Sequence, residues 1–263
     1  MNEPAISKRL VRVGSRERVV RAITGYLGAT IALIALWALA SYLLDTPALP
    51  LPWQAIRQFF VTLPQMMPHI LTSLWRILAA IAIGTALGLP LGLLVGRSRH
   101  ADEFVAPLLY LLYPIPKVVF LPVLMVLLGL GNAPKIVLIA TVIFFQTMVT
   151  ARAAARAIPA EQIASVRSLG ASPAQVARHV IVPAALPELF TALRINIATA
   201  IAILFLAESI AGSSGIGYYI MNAWSRIDYV SMFAGIIAMG ALGVALYEAL
   251  TFVELRLVRW KDV

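Results

Sequence analysis

The sequence predicts an all-α protein that crosses a membrane six times. Of its 263 residues, 61% are hydrophobic and 13% are charged, whereas soluble domains carry about 25% charged residues. So few charges cannot cover a water-facing surface, and the bilayer is therefore the expected solvent. Six stretches reach roughly the 20 mostly apolar residues that a membrane helix needs. They lie at residues 23–44, 70–95, 105–128, 134–151, 189–210 and 231–252.

The basic residues predict how these spans are oriented. With the N-terminus inside, sixteen of the 21 Lys and Arg residues fall in inner segments, and only Arg57, Lys135 and Arg226 fall in outer loops. Cytoplasmic loops carry such an excess of Lys and Arg, so both termini are expected in the cytoplasm. The chain then divides into a basic segment (1–22), one six-helix domain (23–255) with a large inner loop at about 152–188, and a short tail (256–263).

The first span could be mistaken for a cleaved signal peptide, because Ala38-Leu39-Ala40 imitates a cleavage site. Its apolar run is longer than the usual core of about 7–15 residues, which favours an uncleaved span. Residues 5–21, just before it, fit either a basic amphipathic segment at the inner surface or a disordered basic tail that only sets the topology.

Prolines punctuate the second and third spans. Pro114, Pro116 and Pro122 interrupt the third span, and Lys117 lies among them. Because proline removes a backbone donor, we expect this span to be bent or preceded by a short interfacial helix. Pro90 is expected to kink the second span.

The two larger outer loops are too short for a catalytic domain. In residues 45–68, Pro52 suits the first turn of a short helix. In residues 211–230, small residues predict a tight turn, and the tyrosines and tryptophan suit the membrane interface.

The large inner loop is predicted to form two short helices joined by an elbow. Pro159 can begin the first helix, and Gly170 supplies the left-handed residue that commonly ends one. Ser172, Pro173 and Gln175 then form a capping box with proline at the first helical position.

Pro183 is expected to end the second short helix, and Pro187 to begin the next span. An elbow with such defined ends can present one face to a partner protein, or it can simply cap its own helical bundle. The positions of the prolines, the glycine and the capping residues favour neither of these two roles.

The elbow resembles the cytoplasmic signature loop of the integral membrane subunits of bacterial ATP-binding-cassette importers. That signature is Glu-Ala-Ala, three residues, Gly, nine residues, an aliphatic residue, one residue and Leu-Pro. Gly170, Pro183 and the spacing match. The ion pair of the family's Glu is either absent or supplied here by Glu161. The sequence departs from the signature at Ala164, Ser165, Val166 and Val182, which stand for Glu, Ala, Ala and Leu.

Three further stretches, at 73–99, 113–131 and 185–220, resemble the permease branch that serves sulfonates, taurine, nitrate and related solutes. The resemblance covers about residues 50–255. It implies a type I importer permease fold in the bacterial inner membrane and uptake of a small anionic solute. The implied partners are a second permease copy, two ATPase subunits that bind ATP-Mg, and an external solute-binding protein.

The resemblance also implies that the inner loop couples this chain to the ATPase. The residues assigned to coupling are Glu161, Ala164, Ser165, Val166, Ser168, Gly170, Ala171, Ser172, Gln175, Arg178 and Pro183.

Ionisable residues inside spans are costly and usually face the bundle or a cavity. Arg76 and Lys117 could line the path of an anion. Alternatively, each reaches the interface or pairs with a carboxylate such as Glu208, and this second interpretation is favoured. Glu248 is expected at the inner interface. The candidate path residues are Arg76, Lys117, Gln146, Asn196, Glu208 and Ser209, with Asn222 as a further polar candidate; such polar residues also bridge helices.

No motif predicts catalysis or a cofactor bound by this chain. GLGNAPK (129–135) has the wrong spacing for a phosphate-binding loop, and GSSGIG (212–217) does not match a dinucleotide fingerprint. Without cysteine and with three scattered histidines, no metal site is expected. Nucleic-acid binding is disfavoured because the basic residues form no single stripe. The alternative functions are a secondary transporter or channel without an ATPase, and, less favoured, an intramembrane enzyme.

Overall fold

A computed structural model describes residues 24–25 and 27–258. The predicted basic segment 1–22 and the last five residues of the predicted tail lie outside the described residues. Within the described part every regular element is helical. The helices are α1 (Leu27–Leu44), α2 (Pro52–Arg97), α3 (Arg99–Leu112), α4 (Leu121–Leu128), α5 (Ala133–Ala157), α6 (Ala160–Ser168), α7 (Pro173–Val176), α8 (Val182–Ala211), α9 (Ile216–Ser225) and α10 (Tyr229–Leu257).

Five helical segments of the described chain are long and apolar enough to cross a membrane, and a bent pair supplies a sixth. The bent pair is α3 with the segment Lys117–Leu128, which turn by 78° at Pro114 and Pro116. The predicted bend is confirmed, and with the bent pair counted as one span the described chain has the six predicted spans. Residues 113–116 are not helical. They are followed by a short tight turn (Lys117–Phe120) that leads into α4.

The second span is much longer than predicted. α2 is one continuous helix of 46 residues that absorbs the short outer helix expected at Pro52. Pro64, Pro68 and Pro90 all lie inside it. At about 1.5 Å per residue it is about 70 Å long, so it extends well beyond a hydrocarbon core of about 30 Å. Packing along its length outweighs the backbone bonds that the prolines remove.

Four glycines on α2 allow that packing. Gly84, Gly88, Gly92 and Gly96 recur every fourth residue and face the backbone of α5. A Cβ atom at Gly92 would lie 2.5 Å from the carbonyl oxygen of Met148. Small residues at this spacing let two membrane helices approach closely, and the two helices therefore form the centre of the bundle.

The prediction that Pro183 ends a helix and Pro187 begins another was wrong. α7 continues through one wide turn (Ala177–Ile181) into α8, and both prolines lie within the continuous helical stretch. In the wide turn the N–H of Val182 donates to the carbonyl of Ala177, five residues back. This changes the hydrogen-bonding register just before Pro183, whose missing N–H lies in the first turn of α8, where no donor is needed.

The outer loop at 211–230 is also more ordered than a turn. The small residues do form a turn, with Gly215 at φ +107°, but the aromatic residues lie on α9. One face of α9, including Ile216 and Ile220, is buried against the spans. This packing was missed because the segment is too short to show a clear apolar period.

Candidate functional site

The inner elbow has the predicted local structure. α6 ends at Ser168, and Gly170 has φ +85°. The hydroxyl of Ser172 accepts a hydrogen bond from the N–H of Gln175 (3.3 Å), whose side-chain carbonyl accepts one from the N–H of Ser172 (2.8 Å). The capping box and the left-handed glycine together hold the two arms of the elbow at a defined angle.

One side of the elbow is apolar and buried, and its opposite side is exposed. Ile158, Ile163 and Val176 form a small buried cluster beneath it. At the tip, Leu169 is 86% exposed. Among the residues assigned to coupling, Val166, Ala171 and Pro183 are half-buried; the others, Glu161, Ala164, Ser165, Ser168, Gly170, Ser172, Gln175 and Arg178, are exposed.

At the other end of the bundle, Arg76 and Glu208 form a buried ion pair. Their side chains are 2% and 0% exposed, and Nη1 of Arg76 lies 2.6 Å from Oε1 of Glu208. The Ser73 hydroxyl and the N–H of Gly217 also donate to the Glu208 carboxylate. The structure therefore shows Arg76 paired with a carboxylate, which is the favoured one of the two interpretations.

Three further donors of Arg76 are also used. Its Nε donates to the side-chain carbonyl of Asn132 (2.9 Å), and its Nη1 and Nη2 donate to the carbonyl and hydroxyl of Ser214. Arg76 thus joins α2 to the turn before α5 and to the turn between α8 and α9. A guanidinium that makes four hydrogen bonds and is 2% exposed holds the structure together and has no space beside it for a solute.

Glycines surround the carboxylate of Glu208. A Cβ atom at Gly215 would lie 2.2 Å from that carboxylate, and one at Gly217 would lie 2.8 Å from the Cβ of Glu208. The N–H of Gly215 donates to Nδ1 of His69 (3.1 Å). The turn at 212–217 therefore wraps a buried carboxylate, and its glycines serve close approach, not nucleotide binding.

Lys117 lies at the break of the third span. Its ammonium donates to the carbonyls of Leu112 (2.7 Å) and Tyr113 (2.6 Å), which end α3. It also lies 5.4 Å and 5.0 Å from the ring centres of Tyr113 and Phe145. Lys117 and Gln146 both line a cavity of about 310 Å³ beside this break.

The other candidate path residues do not join this cavity. Asn196 is buried on α8, and the Ser209 hydroxyl donates to the carbonyl of Phe205 on its own helix. Asn222 donates to the Tyr218 hydroxyl, and Glu248 is exposed. The structure thus separates the six candidates into an outer ion pair, a cavity pair and two isolated residues.

Several charged residues and ion pairs escaped the sequence analysis. Lys135, assigned to an outer loop, is 2% exposed in the first turn of α5. Near the inner end, Asp102 pairs with both Arg152 and Arg156, and Arg194 pairs with Glu254. The spacing of Arg152 and Arg156, one turn apart, was a possible signal for a shared carboxylate.

Within the described ranges, no three His, Asp or Glu side chains lie close enough together to hold a metal ion.

Comparison with known proteins agrees with this architecture. Residues 88–259 match the family described as "Binding-protein-dependent transport system inner membrane component". The chain is 30% identical to the taurine transport system permease protein TauC of Escherichia coli (strain K12), over 99% of this chain and 97% of that protein. It is 28% identical to a putative aliphatic sulfonates transport permease protein, SsuC, of Bacillus subtilis (strain 168), over 88% and 85% of the two chains.

Solved structures show the same fold. An inward-facing structure of the MetNI methionine ABC transporter aligns with a TM-score of 0.59 at 24% identity, covering 74% of this chain and 97% of that one. A second crystal form of the same transporter aligns with a TM-score of 0.62 over 75% and 96%. The family match, the nearly full-length likeness to TauC and the helical fold lead to one conclusion: the chain belongs to the binding-protein-dependent transport system inner membrane component family, the permease subunits of ATP-binding-cassette importers.

Proposed function

We propose that this permease imports a small sulfonate, with taurine as the first solute to test. The observation that carries the proposal is the 30% identity with a taurine permease over 99% of this chain. Likeness to a sulfonate permease supports the same class of solute. The inferred location is the bacterial inner membrane, where a binding protein on the outer side delivers the solute.

We infer that two copies of the chain form the path, that two ATPase subunits bind ATP-Mg, and that this chain hydrolyses none itself. Support for pairing comes from the large apolar side chains that α3 and α4 leave exposed. Tyr110 and Val126 are 81% and 86% exposed. Exposed apolar side chains of this kind fit contact with a second copy or contact with lipid, and a second copy would cover those on α3 and α4.

The elbow is proposed to carry the movement of the ATPase into the bundle. The capping box and the left-handed glycine at its corner hold its angle, and the wide turn connects it directly to α8 without a flexible link. When the ATPase subunits close, a rigid elbow seated on them moves as one body with the spans. Rigid-body rocking of this kind can alternate access between the two sides.

Transport by the reconstituted complex tests the proposed function. The chain, its ATPase and its binding protein are placed in liposomes with ATP on the ATPase side, and uptake of radiolabelled taurine is measured. We expect taurine uptake that requires ATP and the binding protein and is competed by other small sulfonates. Uptake that persists without ATP or an ATPase would instead support a secondary transporter, and uptake of neither taurine nor any sulfonate would refute the solute class.

We expect Gly170→Val to abolish transport while the protein still inserts in the membrane. At φ +85° a β-branched side chain is strained, at a cost of about 1–3 kcal/mol, and the elbow would adopt another angle. Gly170→Asn is the matched control, because asparagine tolerates left-handed backbone. The measurement is co-purification of the ATPase and taurine uptake; normal uptake by the valine variant would contradict the coupling role.

A further inference from the structure

The break between α3 and α4 leaves a cavity of about 310 Å³ against α5 and α8. Most of its lining is apolar, including Pro114, Val142 and Ile203, and only a few polar groups reach it. Small-molecule sites are typically clefts of about 300–1,000 Å³ with this mixture of apolar walls and a few polar groups. The volume lies at the small end of that range and suits a ligand of few atoms.

Lys117 brings to this cavity a positive charge that carbonyls and aromatic rings contact but no carboxylate neutralises. Two of the three N–H donors of its ammonium are used by the carbonyls of Leu112 and Tyr113, which leaves one. Among the ion pairs formed by the described residues, none involves Lys117. Charged side chains at this depth usually pair with each other or mark the path of a solute, and no paired carboxylate explains this one.

Gln146 adds a second polar group that the protein leaves unsatisfied. Its Oε1 atom is buried and has no hydrogen-bond partner in the described structure, whereas buried polar atoms nearly always have one. Amide oxygen and nitrogen are exchanged by a simple flip, so the side chain can offer either a donor or an acceptor. As placed, this oxygen is enclosed by protein, but Gln146 lines the cavity, and a flip that turns the oxygen toward a polar ligand there would give it a partner.

We propose that this cavity is a binding site for the solute inside the permease, with Lys117 holding the sulfonate group and Gln146 holding the second polar end of an aminosulfonate. This rests on the proposed function, since it assigns a sulfonate as the solute. A sulfonate carries one negative charge and three acceptor oxygens, which fit the remaining ammonium donor of Lys117. The amide of Gln146, oxygen inward, fits the ammonium group of taurine.

The outer cluster is a poorer place for the same anion. Arg76 has its charge neutralised by Glu208 and its donors bonded to Asn132 and Ser214. Its 2% exposure leaves no room for a ligand. Of the two cations that the sequence analysis assigned to the path, only Lys117 therefore has both an available donor and adjacent space.

Binding to the permease can be measured without the binding protein. The complex of permease and ATPase is placed in lipid nanodiscs, and equilibrium binding of radiolabelled taurine and ethanesulfonate is compared. Ethanesulfonate has the same sulfonate but no ammonium group. We expect Lys117→Gln to weaken binding of both by tenfold or more, and Gln146→Leu to weaken taurine about tenfold while changing ethanesulfonate little, as loss of a charge-assisted hydrogen bond predicts.

Two further variants separate binding from structure. Lys117→Arg keeps the charge and the donors to the α3 carbonyls, and should retain most of the binding. Arg57→Gln removes a positive charge from an exposed position outside the cavity and should bind both compounds as the wild type does. Co-purification of the ATPase shows that each variant has folded and assembled.

The outcomes distinguish this inference from the proposed function. If the wild-type complex imports taurine but Lys117→Gln binds both compounds normally, the cavity is not the binding site. The proposed function, import of a sulfonate, is then still supported. If the wild type imports sulfonates but binds neither compound in nanodiscs, the site is likewise refuted. Failure of the wild type to import any sulfonate refutes the proposed function itself. If Lys117→Gln does not assemble, Gln146→Leu decides the outcome. The assignment is overturned if Gln146→Leu keeps the wild-type preference between taurine and ethanesulfonate, and it is supported if that preference is lost.

Discussion

Glu208→Ala should destabilise the permease more than the loss of any exposed acid. The substitution leaves Arg76 buried and without its counter-ion, and it removes the acceptor for Ser73 and Gly217. Removing one partner of a buried pair costs about 3–5 kcal/mol, because the remaining charge stays enclosed. We expect a clear fall in the thermal unfolding temperature of the purified protein, together with a lower yield.

Glu248→Ala is the matched control, since Glu248 is an exposed acid on a spanning helix. It should leave the unfolding temperature close to that of the wild type. A second comparison is Arg76→Met with Glu208→Leu, which removes both charges; replacing both members of a buried pair by apolar residues is often neutral. Stability of Glu208→Ala equal to that of Glu248→Ala would show that the ion pair is not needed to hold α9 in place.

Gly92→Ala should separate α2 from α5, although it adds only one methyl group. The added Cβ atom would lie 2.5 Å from the Met148 carbonyl oxygen and 2.7 Å from the Cβ of Ala151. Backbone cannot yield as a flexible side chain does, so the helices must move apart. Overpacking of this kind costs about 1–3 kcal/mol, and sometimes more.

Gly240→Ala provides a control with the same chemical change. Gly240 lies within α10, and a Cβ atom there has no neighbour within 4 Å. Alanine favours helix over glycine by about 1 kcal/mol, so this variant should be as stable as the wild type or slightly more so. The measurement is the unfolding temperature and the size-exclusion profile in detergent. Equal stability of the two variants would contradict the view that α2 and α5 pack backbone to backbone.

Local features were predictable wherever the residues involved lie close together in the chain. The capping box at Ser172 and Gln175 and the left-handed Gly170 form within a few residues of each other, so the sequence specifies them directly. The bend of the third span follows from Pro114 and Pro116 for the same reason. The number of spans and the helical class follow from apolar run lengths, which depend only on the thickness of the bilayer.

Prolines gave the wrong boundary only at α8, where Pro183 was expected to end one helix and Pro187 to begin another, whereas Pro52 does begin α2. Proline lowers the stability of a helix locally, and in water that often ends it. In a bilayer an interrupted helix would expose unpaired backbone groups to lipid, which costs several kcal/mol for each group. This reason covers Pro90, which lies within the predicted span 70–95. Pro64, Pro68 and Pro187 lie outside the predicted spans, where packing against neighbouring helices keeps the chain helical.

Composition and motif spacing alone were sufficient to assign an all-α membrane protein, the capped inner elbow and the resemblance to importer permeases. Only the tertiary structure decided what each charge does, because the partners of a buried charge come from distant parts of the chain. Arg76 meets Glu208 across 132 positions of sequence, whereas Lys117 bonds to two carbonyls four and five residues away and faces a cavity. In the sequence, Arg76 and Lys117 were both basic residues inside predicted spans, and the same two interpretations applied to each. Burial in a low-dielectric interior makes an ion pair necessary for the first, and the break in the third span gives the second both space and an unused donor.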